Sequence, residues 1–368
     1  KSTNSRGLNL AHDPVCRIMI HMSNVRYMKK GKIIETMKKI LNDPFDFVDE
    51  MVEGVIAAHP EAYRAEKGDT RVIVRTDAPV KGKVAIATGG GSGHLPVFMG
   101  YVGEGLADGV SIGNVFSSPS AGQMLRVTKA IDGGAGVLYL YGRYQGDMMN
   151  FTEAAEQAEK AGIKVRTVLV ADDVGSAPVE RHRERRGVAG LFFAYKIAGA
   201  KAAEGASLDE VAEAAQSACD EIRSLGVALG PCTIPVIGIP NFEIADDEME
   251  VGMGIHGEQG IERCKLKTAD EIAEVLVERI ASDYPLQEDD EVAVLVNSLG
   301  GTPLEELYIV YRKVDELLKQ KKIKIYKSYV GRYACSMEMP GMSLTLMKMD
   351  EERKRLLSAP CSSPFFKQ

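Results

Sequence analysis

Tryptophan is absent from these 368 residues, and histidine is scarce, with six in all. Few imidazoles means few candidates for acid–base or nucleophilic chemistry near neutral pH, so each one is worth placing. No apolar run approaches the roughly 20 residues that a membrane-spanning helix needs, so no membrane association is expected. Basic residues are not in excess. The 45 Lys and Arg against 52 Asp and Glu leave a net charge of −7, which argues against a nucleic-acid partner. The six cysteines, Cys16, Cys219, Cys232, Cys264, Cys335 and Cys361, form no C-x-x-C pair. Such a scatter suits reduced thiols in a cytoplasmic chain.

What is present reads as an ordinary globular protein, 45% hydrophobic and 26% charged, long enough for two domains. Residues 1–36 show no clear period and no signal-peptide pattern, and read as a disordered leader or tag in which His12 and His21 take no role. From Met37 onward, short apolar runs alternate with amphipathic stretches, the pattern of an α/β layered domain. Strands are expected at 70–75, 84–87, 136–141, 164–171, 233–239, 291–297, 323–329 and 342–348. Capping boxes at Ser207/Glu210 and Thr268/Glu271 open two helices, the first running to about Ser224. A division near residue 228 gives domains 37–228 and 229–368.

Three motifs stand out. The first is GGGSGH (Gly89–His94), a glycine run following the strand at 84–87 and ending in an imidazole. It lacks the Lys-Ser/Thr of a phosphate-binding loop and the spacing of a dinucleotide fingerprint. Its glycines alone fit a tight turn; a histidine at a strand's carboxyl end can also bind a polyol and exchange its proton. The second is Asp147, just past the strand 136–141, either a helix cap or a carboxylate at the same sheet edge. The third is VGMGIHGEQG (Val251–Gly260), in which His256 is ringed by glycines and followed by Glu258. No further ligands at metal spacing accompany it, which leaves a nucleophilic or acid–base imidazole. Arg181–Arg186 reads as a solvated charged loop, and Asp246–Glu250 as a solvated acidic turn.

Taken in order, GGGSGH, GNVFSSPSA (Gly113–Ala121), GDMMNF (Gly146–Phe151), RRGVAG (Arg185–Gly190), GMGIHGEQGIER (Gly252–Arg263), VNSLGGTPLEELYIV (Val296–Val310) and CSMEMPGMSLTLMKMDEE (Cys335–Glu352) strongly resemble the substrate-binding K subunit of dihydroxyacetone kinases. The resemblance implies two α/β domains of layered sheets flanked by helices, in a homodimer. It implies that His256 holds a short ketose as a hemiaminal, and that His94 moves a proton. It further implies that Asp147 activates the accepting hydroxyl, and that Gly91, Ser92 and Gly93 line the ligand.

No nucleotide motif and no Mg²⁺ carboxylate set is found, so this chain is expected to bind no cofactor itself. The resemblance assigns ADP or ATP with Mg²⁺ to a separate nucleotide-binding L subunit, and leaves open a phosphotransferase-system protein as its phosphate source. Two departures bear on the substrate. The family commonly reads GHEPAH where this chain has Gly93 to Phe98, GHLPVF, and Lys-Asn-Tyr where this chain has Gly142-Arg143-Tyr144. They leave a four-carbon ketose of the erythrulose type, or a ketose-binding coactivator without kinase activity, as alternatives.

Overall fold

The computed structural model describes residues 38–368 and the backbone of three short strands before them. These are β1 (Arg17–Met19), β2 (Arg26–Lys29) and β3 (Lys32–Ile34), which pair antiparallel in that order. The rest of the stretch read as a leader, with His12, Cys16 and His21, lies outside the described residues.

The first large sheet has the order β4-β5-β7-β6-β8-β9. Its strands are β4 (Tyr63–Glu66), β5 (Asp69–Arg75), β6 (Ala85–Ser92), β7 (Gly109–Val115), β8 (Val137–Gly142) and β9 (Val165–Val170). The four from β6 to β9 run parallel, with β6 between β7 and β8. The chain leaves β6 toward one neighbour and later returns on its other side, which opens a crevice at the carboxyl ends of all three strands. In open α/β sheets ligands bind at such a point. Helices α1 (Phe47–Ala58), α2 (Ala121–Ile131), α3 (Gln145–Lys160), α4 (Leu191–Ala203) and α5 (Leu208–Asp220) complete this half.

The second sheet is mixed, ordered β12-β11-β10-β15-β13-β14. It contains β10 (Ile222–Ala228), β11 (Glu248–Val251), β12 (Glu262–Lys265), β13 (Glu291–Ser298), β14 (Lys324–Gly331) and β15 (Gly341–Lys348). Helices α6 (Ala269–Asp283), α7 (Leu304–Gln320) and α8 (Glu351–Ser358) belong to this part of the chain. The expected α/β class, two sheets flanked by helices, is what the molecule has. The strand β10 lies on the N-terminal side of the division near residue 228, yet pairs along its whole length with β15.

Some local expectations fail for identifiable reasons. The run 233–239 is a turn rather than a strand, because Pro235 and Pro240 cannot donate to a ladder and Val236 and Ile237 face solvent. The helix read as continuing to Ser224 stops at Asp220, and β10 begins at Ile222. Both capping boxes form as read, Ser207 with Glu210 and Thr268 with Glu271.

Helix α4 is buried on nearly every side. One apolar cluster runs through it from Leu138 and Leu140 of β8 to Ala293 and Leu295 of β13 and Met347 of β15. Each fully buried large side chain there, such as Phe192, Phe193 or Ile197, contributes roughly 1.5–3 kcal/mol. The two sheets thus share a core.

Candidate functional site

The glycine run is strand, not loop. β6 continues through Gly89, Gly90, Gly91 and Ser92, all buried. Of the five residues GGGSG, only Gly93 has positive φ, at 99°. Gly89, Gly90 and Gly91 are glycine because neighbours press on the strand. A Cβ on Gly90 would strike the Phe98 ring, and one on Gly91 would come within 2.9 Å of the Phe116 and Ser117 backbone. Bare backbone at the end of β6 therefore lets aromatic rings close over it.

Those rings surround two histidines. His94, 1% exposed, stacks on Phe116 with centroids 4.9 Å apart and meets Phe98 edge-on at 6.1 Å. The His94 and His256 rings stand 4.9 Å apart at 72°, although His256 sits between β11 and β12 of the other sheet. Tyr144 places its ring edge-on to His256 at 4.8 Å. Phe98, Phe116 and Met337 all hold positive φ, three of the five non-glycine residues that do so among those described. Each costs on the order of 1–3 kcal/mol, the kind of strain that concentrates at binding sites.

The segment joining β14 to β15 closes the crevice. Gly93 O accepts from the Met337 amide at 2.7 Å, and His94 O accepts from the Cys335 amide at 3.3 Å. His94 Nδ1 lies 2.8 Å from Cys335 O. A carbonyl only accepts, so Nδ1 carries the hydrogen and Nε2 of the neutral ring is a bare acceptor. Burial, helped by the His256 charge, drops the His94 pKa to about 3, so the ring stays neutral across the physiological range.

His256 is held by its own loop. Glu258 accepts from the His256 amide at 3.0 Å through Oε2, and its Oε1 is 2.9 Å from Nδ1. Asn241 donates to His256 O, and Ser336 donates to Ile255 O. Burial opposes ionisation of Glu258. The hydrogen bond and charge of His256 and the nearby Arg186 outweigh it, holding the carboxyl at about 2. Nδ1 thus faces a permanent carboxylate, and Nε2 is the nitrogen left over. Gly254 has no side chain to keep Glu258 and Arg186 from the loop.

The charged stretches read as solvated are in part buried. Arg185 is fully buried and ion-paired to Asp283, which also pairs with Arg223. Arg186 binds Asp173 and reaches Gly252 O at 3.1 Å. Glu250 is 2% exposed, pairs with Arg263 and accepts from the Gly260 amide, closing the base of the His256 loop.

Asp147 lies in the first turn of α3, whose cap position is Tyr144, so it is not the helix cap. It is buried, and desolvation lifts its pKa to about 6 despite a hydrogen bond from Ser118 and the charge of His256. Ser92 instead donates to Gly113 O at 2.7 Å. Three buried side-chain atoms have no hydrogen-bond partner among the described residues: His94 Nε2, Tyr144 Oη and Asp147 Oδ1. All three belong to this cluster. Buried polar atoms are ordinarily satisfied, so three together mark a place suited to a polar ligand. His94 and His256 are brought together in ring contact, and Asp147 lies near enough for the His256 charge to act on its carboxyl. Tyr144, Phe116 and Glu258 went unassigned. The signal for Tyr144 was its place between the end of a strand and Asp147.

Comparison with known proteins follows the same lines. The Dak1 domain model matches residues 53–365. The dihydroxyacetone-binding subunit DhaK of PTS-dependent dihydroxyacetone kinase 2 from Listeria innocua is 46% identical over 90% of this chain and 99% of its own length. The L-erythrulose 1-kinase of Mycolicibacterium smegmatis is 41% identical over 90% of this chain, which spans only 58% of that enzyme. Among solved structures, the dihydroxyacetone kinase operon co-activator Dha-DhaQ superposes with a TM-score of 0.80 at 33% identity, covering 86% of this chain and 97% of that one.

Proposed function

The chain belongs to the Dak1 domain family, and on that premise we propose that it is the ketose-binding subunit of a dihydroxyacetone kinase. The reading rests above all on the three unpartnered buried polar atoms gathered beside an imidazole whose Nδ1 is already taken by Glu258.

In this reading His256 Nε2 adds to the ketose carbonyl. The nitrogen lone pair forms the C–N bond, and the carbonyl π pair moves onto oxygen, which takes up a proton from solvent. The ring keeps its Nδ1 hydrogen as a cation balanced by the Glu258 carboxylate, whose low pKa keeps it charged. The tether solves a size problem. A triose has so few atoms that even about 1.5 kcal/mol per heavy atom, the ceiling for small ligands, limits its affinity. A reversible bond adds affinity and rejects glycerol, which has no carbonyl.

His94 Nε2, a neutral acceptor, exchanges a hydroxyl proton. Asp147, with its pKa moved toward neutrality by burial, takes the proton from the terminal hydroxyl as that oxygen attacks phosphorus. Phosphoryl transfer depends mainly on placing the acceptor in line. A separate L subunit would carry the nucleotide with Mg²⁺, ATP as the donor and ADP as the form left after transfer, which a phosphotransferase-system protein would recharge, and this subunit acts as a homodimer. Identity to an erythrulose kinase supports the four-carbon ketose as a second substrate reading.

Intact-mass spectrometry with dihydroxyacetone, erythrulose and glycerol in turn tests the tether. A mass gain with one or both ketoses and none with glycerol supports it. No gain with either ketose ends it. Adding an L subunit and nucleotide then separates kinase from coactivator: an adduct without ketose phosphate would favour the latter.

A further inference from the structure

The three unpartnered atoms are not equivalent. His94 Nε2 is an acceptor, because the ring hydrogen is spent on Cys335 O. Asp147 Oδ1 accepts when ionised. Tyr144 Oη alone carries a hydrogen to give. A ligand that satisfies all three must therefore bring two hydroxyl hydrogens and one oxygen acceptor.

The tyrosine is placed for that acceptor. Its ring meets His256 edge-on at 4.8 Å, and its backbone caps the helix whose first turn carries Asp147. Its carbonyl accepts from the Met148 amide at 2.9 Å, which fixes the residue to α3. Gly142 leaves the ring its place: a Cβ there would stand 3.3 Å from Tyr144 Cε2 and 3.1 Å from Gly187 O. Arg186, the nearby cation, is committed to Asp173 and Gly252 O. A neutral donor beside His256 suits a carbonyl or hydroxyl oxygen better than an anionic group.

We infer that Tyr144 is a specificity-determining residue that donates a hydrogen bond to the oxygen on the carbon joined to His256. The inference deepens the proposed ketose reading and rests on it. An uncharged phenol so placed selects ligands in which an oxygen acceptor sits between two hydroxyl-bearing carbons, the pattern of a short 2-ketose.

The test is Tyr144→Phe, which keeps the ring and removes only the hydroxyl. Calorimetric titration with dihydroxyacetone is expected to show Kd raised roughly 5- to 20-fold, the range for losing one neutral hydrogen bond. The melting temperature without ligand is expected to hold or rise, since the deleted hydroxyl has no partner among the described residues. Unchanged affinity, with or without a lower melting temperature, overturns the inference and leaves Tyr144 to packing. The tether is scored separately by mass. A wild-type chain that binds the ketose without mass gain defeats the covalent reading, and the Kd comparison still decides Tyr144. A wild-type chain that does not bind it defeats both.

Discussion

His94 and His256 sit on different sheets, and their rings stand 4.9 Å apart and nearly perpendicular. Each is fixed through Nδ1, one by a carbonyl and the other by a carboxylate. The same fixation leaves both Nε2 atoms free of those partners; in the function proposed above, His94 Nε2 is the acceptor and His256 Nε2 the nucleophile. That division of labour yields distinct expectations for each residue.

Replacing His256 by Asn is expected to abolish the mass adduct with dihydroxyacetone. Glu258→Gln keeps the ring but removes the charge that balances it, and is expected to lower the adduct fraction at subsaturating ketose about 10-fold or more. A full adduct in His256→Asn sinks the tether.

Asp147→Asn is expected to keep the adduct and slow phosphate transfer by about 10²- to 10⁴-fold in a coupled assay with L subunit. A normal turnover would reduce this carboxylate to a structural role.

The same variant is expected to be more stable than the wild type. Folding lifts the Asp147 pKa from its ordinary 3.8 to about 6, so the folded state resists ionisation. The penalty is absent below pH 4, grows between 4 and 6, and reaches about 2–3 kcal/mol above that. Denaturant melts at pH 4 and pH 8 should show the stability gain of Asp147→Asn only at the higher pH.

Activity is expected to fall as pH drops through about 6, when Asp147 takes up its proton. His94 adds no limb in this range, since its ring stays neutral down to about pH 3. A kcat/KM profile for the two-subunit system reads this directly, and the low-pH limb should be missing from the residual activity of Asp147→Asn.

Glycines should divide sharply by what faces them. Gly91→Ala sets a Cβ against the Phe116 and Ser117 backbone and is expected to cost about 2 kcal/mol or more and to weaken ketose binding. Gly54→Ala, in the open interior of α1, is expected to be neutral or to add about 0.5–1 kcal/mol. Equal effects in thermal melts would contradict the packing account of β6.

Much of this was readable from the chain because the deciding interactions are local. The capping boxes at Ser207 and Thr268 involve residues three apart, and the α/β alternation needs only hydrophobic spacing. The edge strand β12 and its neighbour β11 were not, because Glu248, Glu250, Arg263 and Lys265 give them the look of solvated loops. Arg185 was misjudged for a related reason: its partner Asp283 lies on another element, and composition cannot reveal a distant counter-charge. At the site, His94, Asp147 and His256 carried motif signals. The acceptor and donor roles of His94 and Tyr144 depend on what their neighbours leave unbonded, which only three dimensions supply.

Helix α4 has a last implication for how a guest enters. Because the same greasy cylinder is wedged between both sheets, swinging the halves apart like a clamshell would tear open a buried core that both of them line. On the ketose-binding reading, admission would fall to the lips of the cleft, the loop bearing His256 and the segment around Met337, with the body left shut.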